Sequence, residues 1–323
     1  MAIPFRAVAG IAFQPTHHTT QHMTHEPFAG AYPALTTPFH EDESIDFETL
    51  RENVRRLERE GVHGVVPVGT TGESATMSHD EHVEVIEATV DAVEDVPVIA
   101  GSGSNNTREA LDLSRRAAAA GADGLLLISP YYNTPEPAGM ETHFRAVADE
   151  VDLPQIIYNV PGRTGRNIAV ETAVSLAEHE NIVGYKAASG DLNRVAEVVE
   201  RTRDEAFAVL SGDDQLTLPI MSMGGRGCIS VAANVEPSRT SRMVDHALDE
   251  EYAAARELHH ELGPLFRTLF IETNPIPVKE ALEIRGQMPA TMRSPLSRMS
   301  EENLAELHAV LDDLEREAGA TEA

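Results

Sequence analysis

Residues 182–191 read IVGYKAASGD and hold Lys186, one of only two lysines in the chain. The run starts apolar and ends in a Ser-Gly-Asp turn, so Lys186 stands where a buried strand gives way to a loop. Outward from it, similar short apolar runs recur at 31–39, 64–69, 97–103, 124–130, 155–161, 207–212 and 227–234, making eight with 182–188. Between them lie amphipathic stretches such as FETLRENVRRLEREG (47–61) and NTREALDLSRRAAAAG (106–121), with apolar residues at helical spacing. Several open on Ser, Thr, Asp or Asn and close at a glycine such as Gly61 or Gly121, which start and stop helices. Eight strand–helix units, about 20 to 33 residues apart, predict an α/β fold of the (β/α)8 TIM-barrel type. A doubly wound open sheet is the runner-up, but eight units with no dinucleotide fingerprint favour closure.

Three further stretches, 250–270, 275–286 and 301–319, read as helices and predict a small C-terminal helical appendage. The expected organisation is therefore a tail at 1–27, a barrel at 28–248 and a helical domain at 249–323. The tail holds His17, His18, His22 and His25, a single acidic residue and no periodicity. It is expected to be disordered, or to precede a true start at Met23. Its AVAGIAF core is too short for a secretory signal, and nothing fixes a metal geometry for its histidines.

Against 53 carboxylates stand 23 arginines and 2 lysines, a formal net charge of −28. That balance argues against nucleic acid, whose phosphates need clustered cations, and leaves no basic patch for a membrane surface. No apolar run is long enough to span a bilayer. The single cysteine, Cys228, excludes an internal disulfide and fits a reducing cytoplasm, the expected location. The acidic surface with almost no lysine reads as adaptation to a salt-rich cytoplasm, where charges are screened.

In a barrel of this kind the site lies at the C-terminal strand ends. Those ends carry Gly69-Thr70-Thr71-Gly72-Glu73-Ser74, Pro130-Tyr131-Tyr132-Asn133, Tyr158-Asn159-Val160-Pro161-Gly162-Arg163-Thr164, Lys186 and Gly212-Asp213-Asp214. A lysine desolvated by apolar neighbours loses its proton more easily and becomes a nucleophile towards carbonyls. Tyr158 and Thr70 offer hydroxyls to move a proton. The Thr70-Thr71-Gly72 turn offers hydroxyls and backbone N–H groups to a carboxylate, and Arg163 offers a planar fork to a second one. Together these predict a Schiff-base enzyme acting on a 2-oxo acid. Each element also has a plain structural reading: a tight turn wants Gly and Thr, and a buried lysine is often ion-paired. Lys279 serves as the control, expected to pair with Glu283 one helical turn on.

The motifs VGTTGESAT, SPYYNTP, YNVPGRTG, GYKAASGD, LSGDDQ, ISVAANV and NPIPVKEA occur in order between residues 68 and 281, within a resemblance that runs from about residue 29 to at least residue 285. With them the chain resembles the dihydrodipicolinate synthase family of pyruvate-dependent Schiff-base aldolases. The resemblance implies a Schiff base between Lys186 and pyruvate and a proton relay of Tyr158, Thr70 and Tyr132, with Tyr132 reaching a neighbouring subunit's site. It further implies that Thr71 holds the pyruvate carboxylate and Arg163 that of L-aspartate 4-semialdehyde, with Gly212 and Ile229 lining the pocket. No metal or organic cofactor is implied, and the expected assembly is a homotetramer built as a dimer of dimers. Where the family commonly reads Lys-Glu-Ala, this chain reads Lys186-Ala187-Ala188, and strand alternation should point Ala187 away from Lys186. Residues matching an allosteric lysine site of some relatives are also present: Ser74, His79, His82, Asn105, Glu109 and Tyr131. Titration with L-lysine would test that match. Rival readings are a 2-keto-3-deoxygluconate aldolase, an N-acetylneuraminate lyase and a non-catalytic ligand-binding relative.

Overall fold

Seven of the apolar runs form parallel strands: β1 (Gly30–Pro33), β2 (Ile99–Gly101), β3 (Gly124–Ile128), β4 (Gln155–Asn159), β5 (Ile182–Ala187), β6 (Ala208–Ser211) and β7 (Gly227–Ser230). The computed structural model describes residues 28–321, so the expectations for the tail before them lie outside the described residues. The sheet order is β1-β7-β6-β5-β4-β3-β2, parallel throughout. The remaining run, 64–69, fills the gap between β1 and β2 through isolated bridges, Ala34 to Val66 and Val65 to Val98. Its backbone bonds reach both neighbours: Val66 N–H donates to Pro33 (2.9 Å), and Val65 accepts from Ile99 N–H (2.9 Å). It stops short of a full ladder because Pro67 has no N–H to give and Val68 takes a left-handed φ of 51°. With that segment the sheet closes as a barrel.

Strand alternation sorts the side chains into two layers. Tyr32, Val66, Ile99, Ile156, Leu210 and Ile229 pack inside the barrel. Leu125, Leu127, Ile157, Tyr185, Ala187 and Val209 face outward against the helices. Lys186 therefore points inward while its neighbours Tyr185 and Ala187 join the outer core, as alternation predicts for Ala187. The helix starts follow from local chemistry: Asp46, Asn106 and Asp191 cap helices with their side chains, and Ser78 and Glu81 form a capping box.

The helices Pro237–Leu248, Tyr252–Thr268, Ile276–Ile284 and Glu301–Thr321 share a further core, which Ala31 of β1 and Cys228 of β7 also enter. Among the described residues no helix is long and apolar enough to cross a membrane.

The expected pair of Lys279 with Glu283 does not form. Lys279 Nζ instead meets Glu73 Oε1 at 2.5 Å, both side chains fully buried, and Glu283 pairs with Arg298. The energetics explain the choice. An exposed pair one turn apart is worth about 0.3–0.5 kcal/mol. Leaving a buried carboxylate without its partner costs about 3–5 kcal/mol.

Candidate active site

The C-terminal strand ends surround a cavity of about 300 Å³, lined by Thr70, Thr71, Tyr158, Arg163, Lys186 and Gly212 among others. Lys186 and Tyr158 are side by side because β4 and β5 pair in the register Tyr158↔Lys186. The lysine Nζ sits 4.2 Å from the centre of the Tyr158 ring. Burial pushes the Lys186 amine down to about 8, against the opposing pull of Asp214, while Arg163 lowers it further. Burial also holds the Tyr158 phenol up at about 12 despite Arg163 nearby, so it keeps its proton. The pair thus sets an amine that gives up its proton near pH 8 beside a hydroxyl that keeps its own.

Gly212 makes room for the lysine. A Cβ there would stand 2.8 Å from Lys186 Cε and 3.0 Å from Ala188 Cβ, so any other residue would displace the amine. Asp214, on the same loop, is a residue the sequence reading left without a role. Its buried carboxylate accepts from Val231 N–H (3.1 Å) and Ala232 N–H (2.9 Å), and it is the main group favouring the charged form of Lys186. The Asp213-Asp214 pair after a strand was its only signal in the sequence.

Thr71 is buried, and its hydroxyl oxygen accepts from Asn274 Nδ2 at 3.0 Å. The backbone carbonyl of Asn274 accepts in turn from Arg163 Nη2 at 3.0 Å. One residue of the C-terminal region therefore links both groups expected to hold carboxylates. The Thr70–Glu73 turn is tight: Glu73 N–H donates to Thr70 O (3.1 Å), and Glu73 itself has a left-handed φ of 57°.

Two expected residues are not among those lining the cavity. Tyr132 is 89% exposed with a φ of 65°, projecting from the surface. Ile229, expected to meet the pocket largely through backbone groups, packs in the interior layer that also supplies Val66, Leu126 and Tyr158 to the cavity, and Val231, two residues on, lines the cavity wall. Of the six residues matched to an allosteric site, Ser74 and His82 also line this cavity. His82 Nε2 is 2.8 Å from the Gly101 carbonyl, which can only accept, so that nitrogen carries the proton. Burial lowers His82 to about 4, keeping the ring neutral. His79 Nε2 lies 3.3 Å from Glu109, Asn133 Nδ2 donates to Asn105 O at 3.3 Å, and Tyr131 is exposed.

The lysine's lowered basicity has a pH consequence. Below about 8 most of the amine is protonated and cannot attack a carbonyl; above it the neutral form dominates. The rate at which a 2-oxo acid is captured should rise with pH to a plateau, with its midpoint near 8. Rates of borohydride-trapped adduct formation, followed by mass spectrometry, measure this directly. A midpoint above 10 would mean that burial does not tune the amine.

Fold and cavity define the class: an α/β barrel with a buried lysine of lowered basicity at its C-terminal mouth, beside a protonated tyrosine. The chain belongs to the dihydrodipicolinate synthetase family, which it matches over residues 27–314. It is 73% identical over 294 residues to the 4-hydroxy-tetrahydrodipicolinate synthase of Natronomonas pharaonis, covering 91% of this chain and 100% of that protein. The 4-hydroxy-tetrahydrodipicolinate synthase structure from Methylacidiphilum fumariolicum SolV superposes with a TM-score of 0.89 at 43% identity, covering 91% of this chain and 98% of the other. The chloride-inhibited dihydrodipicolinate synthase of Acinetobacter baumannii, crystallised in complex with pyruvate, gives a TM-score of 0.87 at 40% identity, covering 88% and 98%.

Proposed function

We propose that the chain condenses pyruvate with L-aspartate 4-semialdehyde to give 4-hydroxy-tetrahydrodipicolinate, a step towards diaminopimelate and lysine. The observation that carries this reading is the Lys186–Tyr158 pair in one register, with Thr71 and Arg163 on the same cavity. Neutral Nζ of Lys186 adds to the pyruvate C2 carbonyl, and the carbinolamine oxygen leaves as water once protonated. Loss of a methyl proton then gives the enamine, whose carbon attacks the aldehyde and forms the new C–C bond. The amine of the second substrate closes on C2 and expels Lys186.

Within this reading Tyr158 and Thr70 pass the protons, and Thr71 receives the pyruvate carboxylate. Arg163 receives the carboxylate of the second substrate. Tyr132, projecting from the surface on a left-handed backbone, completes the relay in a neighbouring copy. That makes the working unit an oligomer, in this reading a homotetramer. The acid excess fits a salt-rich cytoplasm as its place of work.

Arg163 separates this reading from aldolases that handle neutral polyhydroxy chains. Activity should appear with pyruvate plus L-aspartate 4-semialdehyde and be absent in 2-keto-3-deoxygluconate or N-acetylneuraminate cleavage. Arg163→Ala should raise KM for the semialdehyde by about 10- to 100-fold, the worth of a hydrogen bond to a charged group, and change KM for pyruvate far less. Steady-state kinetics with each substrate varied in turn checks both. Cleavage of the neutral sugar acid at a comparable rate would transfer the assignment to its aldolase.

A further inference from the structure

Both lysines of this chain are buried, and only one of them faces the cavity. Lys279 lies in the helix Ile276–Ile284 with its side chain wholly enclosed. Its Nζ donates to Glu73 Oε1 and to the Thr291 carbonyl (2.6 Å), and it stands 4.4 Å from the centre of the Phe39 ring. Glu73 is occupied on its other oxygen by Arg293 N–H at 3.1 Å. A compact ammonium suits a site of three partners packed this closely, where the wider guanidinium fork would not fit.

The position of Glu73 gives this pair a consequence beyond stability. Glu73 closes the turn that begins at Thr70, in a left-handed backbone conformation that only surrounding contacts hold. The residue just before the same helix, Asn274, donates to the hydroxyl oxygen of Thr71. With an oxygen lone pair so engaged, the Thr71 proton is left to point elsewhere and donate. The helix and its leading residue thus grip the turn at two points, Thr71 and Glu73. These contacts span 203 and 206 residues of sequence.

We propose that Lys279 and Asn274 are positioning residues for the carboxylate-binding turn: Lys279 fixes its backbone through Glu73, and Asn274 orients the Thr71 hydroxyl. The inference rests on the reading of this cavity as a pyruvate site. Neither residue touches the reacting atoms. Their effect falls on how tightly the 2-oxo acid is held before Lys186 attacks.

The test measures the pyruvate concentration that half-saturates borohydride trapping in the full-length protein, together with melting temperature and the pH midpoint of capture. Lys279→Met alone leaves the Glu73 carboxylate buried and unpaired and should destabilise the fold. The double variant Glu73→Gln/Lys279→Met removes both charges, and Asn274→Ala removes no charge, so these two keep the fold. Each should raise the half-saturating pyruvate concentration by about tenfold or more, the loss expected when a hydrogen bond to a charged group is misplaced. The pH midpoint should stay near 8 and the adduct at saturation should stay complete. A merely structural role would lower the melting temperature and leave half-saturation alone. Parental half-saturation in both folded variants would overturn the proposal while leaving the lysine chemistry standing. Absence of trapping in the parent would overturn the pyruvate reading itself, and the brace with it.

Discussion

Lys186→Met is expected to lower kcat by about 10⁴-fold or more, the scale seen when a covalent nucleophile is removed. Methionine preserves length and volume but has no amine, so no Schiff base can form. The fold should survive, and the reason lies in the amine's own electrostatics. Burial favours the uncharged form, so at pH 7 the folded state carries a protonated lysine at a cost the unfolded chain does not pay. The unfolded lysine, near its ordinary value of 10.5, binds more protons than the folded one between about 8 and that value. Stability should therefore rise with pH across this window in the parent and lose that rise in the variant. Loss of activity with an unchanged or higher melting temperature at pH 7 is the expected signature. Retained turnover would show that the amine is not the nucleophile.

Tyr158→Phe should reduce kcat by about 10²- to 10⁴-fold, the range for a positioned acid–base group. The substitution is informative because phenylalanine keeps the ring that faces the amine. Nζ, which in the parent lies 4.2 Å from the centre of the Tyr158 ring, would still face an aromatic surface, so its basicity should change little. Capture of pyruvate should keep its pH midpoint near 8 while turnover collapses. The hydroxyl alone would then account for the loss. Turnover within a few-fold of the parent would leave the relay to Thr70 and Tyr132 and remove Tyr158 from it.

The barrel was legible because strand alternation and helical spacing are local, repeated patterns, and Lys186 could be placed at a strand end from its apolar lead-in alone. The site residues at strand ends followed from the rule that barrels work at that face. Segment 64–69 looked like any other strand, yet Pro67 and the left-handed Val68 leave it joined by single bridges. What could not be read were long-range contacts. Lys279 sits one turn from Glu283, and only the folded chain brings it to Glu73 instead. Asn274 and Asp214 are small polar residues in loops, and their partners are set by tertiary packing rather than spacing. Ile229 is expected at the pocket from the family resemblance alone, and it is Val231, two residues on, whose place on the cavity wall the resemblance does not give.

The most direct test of the central claim is reduction with borohydride in the presence of pyruvate, followed by proteolysis and mass mapping of the modified peptide. A single pyruvate-derived adduct on the peptide carrying Lys186, absent in Lys186→Met, is the predicted result. No adduct, or an adduct on Lys279 or the chain's amino terminus with Lys186 untouched, would contradict it.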